Sequence, residues 1–530
     1  MKTPATTPLQ QLLLNEAEAA AVLAVVHTVL APELVARLRE LLARLPELAQ
    51  VLATQELSVQ RLQKLLFGPR TEKARRSGRK PADPTAKPKP RRPGHGRHGH
   101  QDYPGARRIR ITNPLSQPGS PCPRCQRGKL RPQAQPATVV TVHAQPPVGA
   151  VIHELERLRC DACGEVFTAP LPADAAREKY DANVGVMVGL LRYGTGLPFH
   201  RLARLQTSVG VPLPSSIQWA EADRAAQGLE PVVDHLIQLV AQGTLLHSDD
   251  TTMRVRQLQR EIAAEPKPKR TGIFTTAILG AAGPHPIHLV FTGRRHAGEN
   301  LARVLERRAT DLAPPLHMCD GLAANAPPGH VVEECSCLVH GRRNFVELET
   351  SFPEAYARVI QDLGQVYAVE AECGRDRLSP ADRLARHQAR SAPVLAQLKE
   401  WFTAQTEARS VEPNSGLGQA INYMLDRWEP LTRFLTVAGA PLDNNLAERV
   451  LKTVILHRKN SLHYRTVRGA AVGDTFMSLV QTCAANEINP FDYLVAVVRH
   501  ATAVAAAPER WLPWNYRDAL AAAGSSPPSH

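Results

Sequence analysis

Twice in this 530-residue chain an apolar run too short for a helix leads into an aspartate: Thr244-Leu-Leu-His ahead of Asp249, and Pro315-Leu-His-Met-Cys ahead of Asp320. Runs of that length read as buried strands. A third acid, Glu448, follows Asp443-Asn-Asn and lies among Leu446, Val450 and Val454, the spacing of a helix that Asp443 or Asn444 would N-cap. A fold that gathers the three acids must set two strand ends beside the first turns of one helix, which demands a mixed α/β core. Carboxylates so gathered repel one another, and hard oxygen donors of that kind are held ionised by shared Mg2+ or Mn2+. A two-ion site of this type suits phosphodiester chemistry, because it activates a water or sugar hydroxyl and stabilises the leaving oxygen. Taken singly, each acid reads more readily as a turn or cap residue.

Further strands are predicted at Ile273 to Leu279 and Pro286 to Thr292, forming an antiparallel unit with the first. Gly298-Glu-Asn-Leu opens a helix, a fourth strand ends at Asp320, and Val331-Val-Glu-Glu-Cys reads as a fifth. Asp320 and Glu448 are 128 residues apart, too far for one loop, and residues 344 to 438 carry leucine and alanine at helical spacing. The expectation is a core in two parts, 241–345 and 441–500, split by a helical insertion at 346–440 and followed by a tail at 501–530.

Cys122-Pro-Arg-Cys125 and Cys160-Asp-Ala-Cys163 are separated by 34 residues and place two thiolates each where a tetrahedral Zn2+ takes them. Thr138-Val-Val-Thr-Val-His and Ala150-Val-Ile-His-Glu-Leu alternate like strands, so residues 113–172 are expected to form a zinc ribbon. Four thiolates leave no open position for water, which makes the zinc structural. Nine cysteines in a chain of this length do not form a secreted disulfide framework. Cys335, Cys337 and His340 make a second cluster, C-x-C-x-x-H, that needs a further ligand for a tetrahedral site.

A formal charge of +14 points to a polyanionic partner, and its distribution narrows the choice. Between Lys73 and Arg110, thirteen Lys and Arg less Asp83 and Asp102 leave +11 in a Pro- and Gly-rich stretch that cannot build a core. Residues 68–112 therefore read as a basic linker whose Arg75, Arg76, Arg79, Lys80, Arg91 and Arg92 can neutralise DNA phosphates, or as a plain solvated tether. His95, His98 and His100 lie within it and read as incidental. The 43% apolar content is ample for folded domains elsewhere.

Upstream, within residues 1–67, Leu34, Leu38, Leu41, Leu45, Leu48, Leu52, Val59, Leu62 and Leu66 keep heptad spacing, with Pro46 against a long straight helix. The seam predicts self-association through a coiled coil; an amphipathic helix packing on its own chain is the alternative. Residues 173–240 read as helices broken at Gly194 to Pro198 and Gly210 to Pro214, with Ser215 or Ser216 capping the last, either a helix-turn-helix that reads DNA or a support for the core. No run of eighteen uncharged apolar residues and no charged-then-apolar leader is present, so a soluble cytoplasmic protein is expected. No GxxxxGK[ST] loop is present, which argues against ATP-driven chemistry.

In order along the chain, LLFGPRTEKARR from Leu65, the two Cys-x-x-Cys pairs, GLPFHRLARLQTSVGVPLPSSIQWA from Gly196, SDDTT, CDG, CLVHGRRNF from Cys337, DNNLAER and HRKN resemble the DDE transposases of the insertion-sequence sixty-six family. The resemblance implies a ribonuclease-H-like fold with Asp249, Asp320 and Glu448 as catalytic carboxylates, and insertions before the glutamate are found in such families. Asp250 stands where that family typically has glutamate, so the resemblance leaves open which of the adjacent aspartates binds metal. Strand alternation sends the two to opposite faces, and only one can point into the site. The Cys337-x-x-His340 part matches the family pattern, and a structural role is expected for it, with His340 near the acids and Arg342 and Arg343 on DNA phosphate or local carboxylates. The resemblance also sets His457, Arg458 and Lys459 beside the active site as DNA contacts. A cationic run at a helix end is the plainer reading of them.

The function so implied is a DNA transposase: metal-dependent cleavage at an element's ends, then attack of the freed 3'-hydroxyl on target DNA. Its expected partners are DNA, a second copy of the chain and accessory proteins of the same element, in a nucleoid-associated bacterial setting. Two alternatives share the same residues: a noncatalytic zinc-containing DNA-binding protein derived from a transposase, and a metal-dependent nuclease without joining activity.

Overall fold

A computed structural model of the protein describes residues 16–26, 31–40, 42, 101, 118–122, 124–127, 129–131, 138, 147–159, 161, 163, 166–172 and 178–524. Two compact units compose it, one of Met1–Glu72, Leu236–Arg458 and His463–Asp474, the other of Lys73–His235, Lys459–Leu462 and Thr475–His530. Of the heptad seam, only Leu34 and Leu38, on a helix over 32–40, are described; Leu41, Leu45, Leu48, Leu52, Val59, Leu62 and Leu66 lie outside the described residues. So do Arg75, Arg76, Arg79, Lys80, Arg91 and Arg92, His95, His98 and His100, and Cys160.

In the second unit, β1 (Arg157–Arg159) pairs antiparallel with β2 (Val166–Thr168), with Cys163 in the connection between them. The first pair lies in a turn closed by the Pro121 and Lys129 bridge and by Gln126 N donating to the Cys122 carbonyl at 2.8 Å. The strand expected over Ala150 to Leu155 is not one. Val151 and Ile152 are 80% and 86% exposed, so the alternation there has no sheet face to bury, and pairing begins only where the chain doubles back at β1. Helices follow at Ala182–Gly189, Phe199–Ser208 and Ser215–Ala241, with breaks where the sequence placed them. Asp181 starts the first by accepting from Val184 N at 3.1 Å. Gln218, in the first turn of the third, is buried and donates to the Leu213 carbonyl at 2.7 Å, which fixes the preceding turn.

The first unit is built on a five-stranded mixed sheet in the order β5-β4-β3-β6-β7. Its strands are β3 (Leu245–Thr252), β4 (Phe274–Ala282), β5 (His285–Gly293), β6 (Leu316–Cys319) and β7 (Glu333–Ser336). β3, β4 and β5 form the antiparallel unit read from the sequence, with Gly283 at φ +58° turning β4 into β5. β6 and β7 extend the sheet in parallel, and the crossover from β5 to β6 contains the helix Ala297–Leu305. Between β7 and the glutamate-bearing helix Asn445–Ser461 lie the helices Leu338–Val346, Pro353–Arg375, Pro380–Arg390, Ala392–Glu407 and Gly416–Asp426. They enclose an apolar cluster that includes Met318 of β6 and Cys335 of β7, with Phe345, Val359, Leu363, Phe402 and Ile421 fully buried and the Phe345 and Phe402 rings stacked at 5.5 Å. Among the described residues no helix is long and apolar enough to cross a membrane.

Candidate active site

β3 and β6 are parallel neighbours, paired Leu245 to Leu316, Leu246 to His317 and His247 to Met318. Continued past the last pair, that register sets Asp249 opposite Asp320. Asp320 directly follows the end of β6, whereas Asp249 is interior to β3, whose pairing with β4 carries the strand on to Thr252, so the strand end expected at Asp249 comes three residues later. The Asp249 carboxyl is pushed up to about 7, first by burial, then by the charge of Asp320, with Glu448 and Asp250 adding to it. Its own hydrogen bond from Asp250 N, at 2.8 Å, works the other way and is outweighed. The charges of Asp320 and Glu448 therefore both reach the partly buried Asp249.

Asp320 is held by the turn that follows it. Its Oδ1 accepts from Leu322 N at 3.1 Å and from the Asn325 side-chain amide. Gly321 adopts φ +76°, a conformation that costs any residue with a Cβ about 1–2 kcal/mol, and a Cβ there would also meet Ser336 Oγ at 2.9 Å. That explains the glycine of the CDG frame. From the helical segment, Tyr423 Oη donates to the Asp320 carbonyl at 2.9 Å and Arg427 Nε to the Gly321 carbonyl at 3.1 Å. Glu448 projects from the first turn of its helix, and its Oε1 is buried with no hydrogen-bond partner. His340 Nε2 lies 3.9 Å from that oxygen.

Asp250 points the other way. Its Oδ2 lies 3.1 Å from His296 Nδ1 and 3.3 Å from Ala297 N, at the amino end of the helix Ala297–Leu305, where a carboxylate is favoured by unpaired N–H groups. The two adjacent aspartates thus divide by strand alternation, Asp249 toward the other acids and Asp250 toward a helix start.

Asn444 ties the glutamate helix to β3. It is fully buried, its Oδ1 is 3.0 Å from His247 Nδ1, its Nδ2 donates to the Ser248 carbonyl at 2.8 Å, and its backbone N donates to Cys337 Sγ at 3.2 Å. The Asn444 carbonyl also accepts from Glu448 N at 3.2 Å, while Asp443 Oδ1 takes Asn445 N at 3.1 Å. Ser248 Oγ in turn meets His317 Nε2 at 2.7 Å. Burial lowers His247 and brings His317 down to about 4, so both rings are neutral partners in this network.

The expected cations are placed unequally. Arg342 is half-buried and Arg343 exposed, both on Leu338–Val346, and Lys459 is exposed. Arg458 bonds β3 instead, through Thr251 Oγ1 at 3.2 Å, Thr252 Oγ1 at 2.8 Å and the Thr252 carbonyl. His457 is 1% exposed and stacks on Tyr464 at 4.9 Å, because it continues the inward stripe of Val450 and Val454. Cys122 is partly exposed, and Cys125 and Cys163 are exposed. The third donor beside Cys337 and His340 is Glu448, not the Cys335 that the C-x-C-x-x-H spacing suggested: the ligand atoms of Cys337, His340 and Glu448 lie within 4.8 Å of one another.

Sequence reading did not single out Asn325, Tyr423 and Arg427 as partners of the Asp320 turn, nor His247, Ser248 and His317 behind Asp249. Polar residues inside the apolar strand runs, His247 and His317, were the only signal. Tyr423 and Arg427 act from more than a hundred positions away and left none.

Residues 180–472 match the family described as Transposase IS66 family. The chain is also similar to two uncharacterized proteins of Sinorhizobium fredii (strain NBRC 101917 / NGR234): y4jD, 28% identical over 386 residues that cover 68% of this chain and 71% of that protein, and y4hP, 26% identical over 393 residues that cover 69% and 68%. With more than half its length matched, and with a mixed α/β unit that sets three acids together, the chain belongs to the IS66 family of transposases.

Proposed function

We propose that the protein is a DDE-type DNA transposase, with Asp249, Asp320 and Glu448 as its catalytic carboxylates on a ribonuclease-H-like core. The observation that carries this reading is the meeting of the three acids from β3, β6 and the glutamate helix, where burial first, and then the charges of Asp320 and Glu448, push Asp249 up to about 7. Such a cluster is unfavourable without cations, and the buried, unpartnered Glu448 Oε1 supplies a free donor for one. The donors are all carboxylate oxygens, which suits Mg2+ or Mn2+. When bound, such ions supply Lewis acidity at phosphate oxygens and at the attacking water or hydroxyl.

The protein's own residues then have distinct tasks. Asp249, Asp320 and Glu448 hold the cations, while Asp250 serves the fold. Asn325, Tyr423 and Arg427 keep the Asp320 turn in place, and the Asn444 network fixes the helix that carries Glu448. Arg343 and Lys459 present charge to DNA phosphates, with Arg342 partly available; Arg458 shapes the end of β3. The chemistry supported is hydrolysis at an element's terminus, followed by attack of the 3'-hydroxyl on target DNA. In the same reading, the four cysteines Cys122, Cys125, Cys160 and Cys163 bind structural Zn2+, the helices between 182 and 241 and the basic segment hold DNA ends, and the heptads pair two copies of the chain.

The test is strand cleavage and joining on DNA carrying the element's own ends, with Mg2+ or Mn2+, comparing the intact protein with Glu448→Gln. Metal-dependent joining that the substitution abolishes, with DNA binding retained, is the expected result. Binding without cleavage by the intact, zinc-loaded protein would favour a noncatalytic DNA-binding protein, and cleavage without joining a nuclease.

A further inference from the structure

The cluster beside Glu448 differs in chemistry from the carboxylate trio. Cys337 supplies a buried sulfur at the N-cap of Leu338–Val346, and His340 follows one turn later, so that the local helix geometry presents Sγ and an imidazole nitrogen together. Glu448 completes the set from the opposite side, with all three ligand atoms within 4.8 Å of one another and Nε2 to Oε1 at 3.9 Å. A tetrahedral ion with bonds of roughly 2.0–2.3 Å separates its ligands by roughly 3.3–3.8 Å, so only a small closing movement is needed. Two atoms at this place, Glu448 Oε1 and His340 Nδ1, are buried without hydrogen-bond partners. The side chains of His340 and Glu448 are 24% and 25% exposed, which leaves an entry path, whereas Cys337 is fully buried. The other group of this kind among the described residues, Glu370, Cys373 and His387, is already occupied: its carboxylate pairs with Arg383 at 2.8 Å and His387 at 2.9 Å.

We propose that Cys337, His340 and Glu448 form a second metal site, selective for a zinc-class divalent ion through its sulfur and imidazole donors. Three protein ligands leave a fourth position for water, and binding releases the thiol proton to solvent. Because the site takes Glu448, its occupancy competes with the carboxylate centre, and zinc is expected to suppress Mg2+-supported cleavage. That consequence rests on the function proposed above, whereas the binding itself does not.

The probe is Co2+ added to the full chain, followed by thiolate-to-cobalt charge-transfer absorption and by stoichiometry. The four-cysteine motif contributes equally to the intact protein and to Cys337→Ser, so it cancels in the difference. Expected is an additional thiolate band and an additional bound ion in the intact protein, both absent from Cys337→Ser; Glu448→Gln, which removes a direct ligand, should keep the band and bind more weakly by at least about tenfold, the loss typical of even an outer-shell partner. Identical spectra and stoichiometry in intact protein and Cys337→Ser, with matching circular dichroism, overturn the proposal. Should Cys337→Ser fail to fold, His340→Gln decides: a weakening of the additional ion by about tenfold or more supports the site, and unchanged affinity refutes it. Loss of cleavage activity has no bearing on this readout, so a failure of the transposase reading stays distinguishable.

Discussion

Burial and the charge of Asp320 push the Asp249 carboxyl up to about 7, and the sign of that shift has a measurable consequence. An unfolded chain releases this proton near 3.8, whereas the folded protein keeps it until about 7. Between those values the native state binds more protons than the unfolded state, so stability falls as pH rises through that window. In chelator, Asp249→Asn should be more stable than the parent at pH 8 by about 1–3 kcal/mol and equal to it near pH 4, read from urea midpoints. Added Mg2+ should raise the parent's midpoint at pH 8 and leave the variant's unchanged. A variant less stable than the parent at pH 8 would mean that burial of Asp249 carries no penalty.

At the scale of elements, the glutamate helix is only as well placed as its attachment to β3. Asn444→Ala would leave His247 Nδ1 and the Ser248 carbonyl buried without their partner, which costs about 2–3 kcal/mol in unfolding free energy. Metal affinity at the acidic centre should fall along with it, and calorimetric titration with Mn2+ would register that loss; an unchanged affinity would reduce Asn444 to a fold residue. The helix itself was legible from Asp443-Asn-Asn and the stripe of Val450 and Val454, and so were β3 to β7, because period and turn chemistry are local. What local pattern left open was which of Asp443 and Asn444 caps. The structure divides the work, with the Asp443 side chain taking Asn445 N and Asn444 turned inward as a clasp. The Ala150 to Leu155 alternation misled for the complementary reason: period two makes a strand only when a partner strand lies beside it.

For the whole molecule, charge distribution predicts how DNA is gripped. Neutralising Arg75, Arg76, Arg79, Lys80, Arg91 and Arg92 together should reduce the slope of log affinity against log salt by up to about 5, with little change in preference among DNA sequences. Equilibrium binding at several salt concentrations measures this, and an unchanged slope would make the segment a mere tether. The sequence by itself determined the class of core, where its strands lie along the chain, the helical segment before Glu448, the three acids and the basic stretch, because hydrophobic period, capping and charge are written in neighbouring residues; the sheet order β5-β4-β3-β6-β7 came only with the fold. Only the tertiary structure decided that Asp249 rather than Asp250 faces the other acids, that Glu448 stands beside Cys337 and His340, that His457 is buried, and that Tyr423 and Arg427 secure the Asp320 turn. Those facts depend on register between strands and on contacts across a hundred or more residues, which are fixed only when the sheet and the helices close on one another.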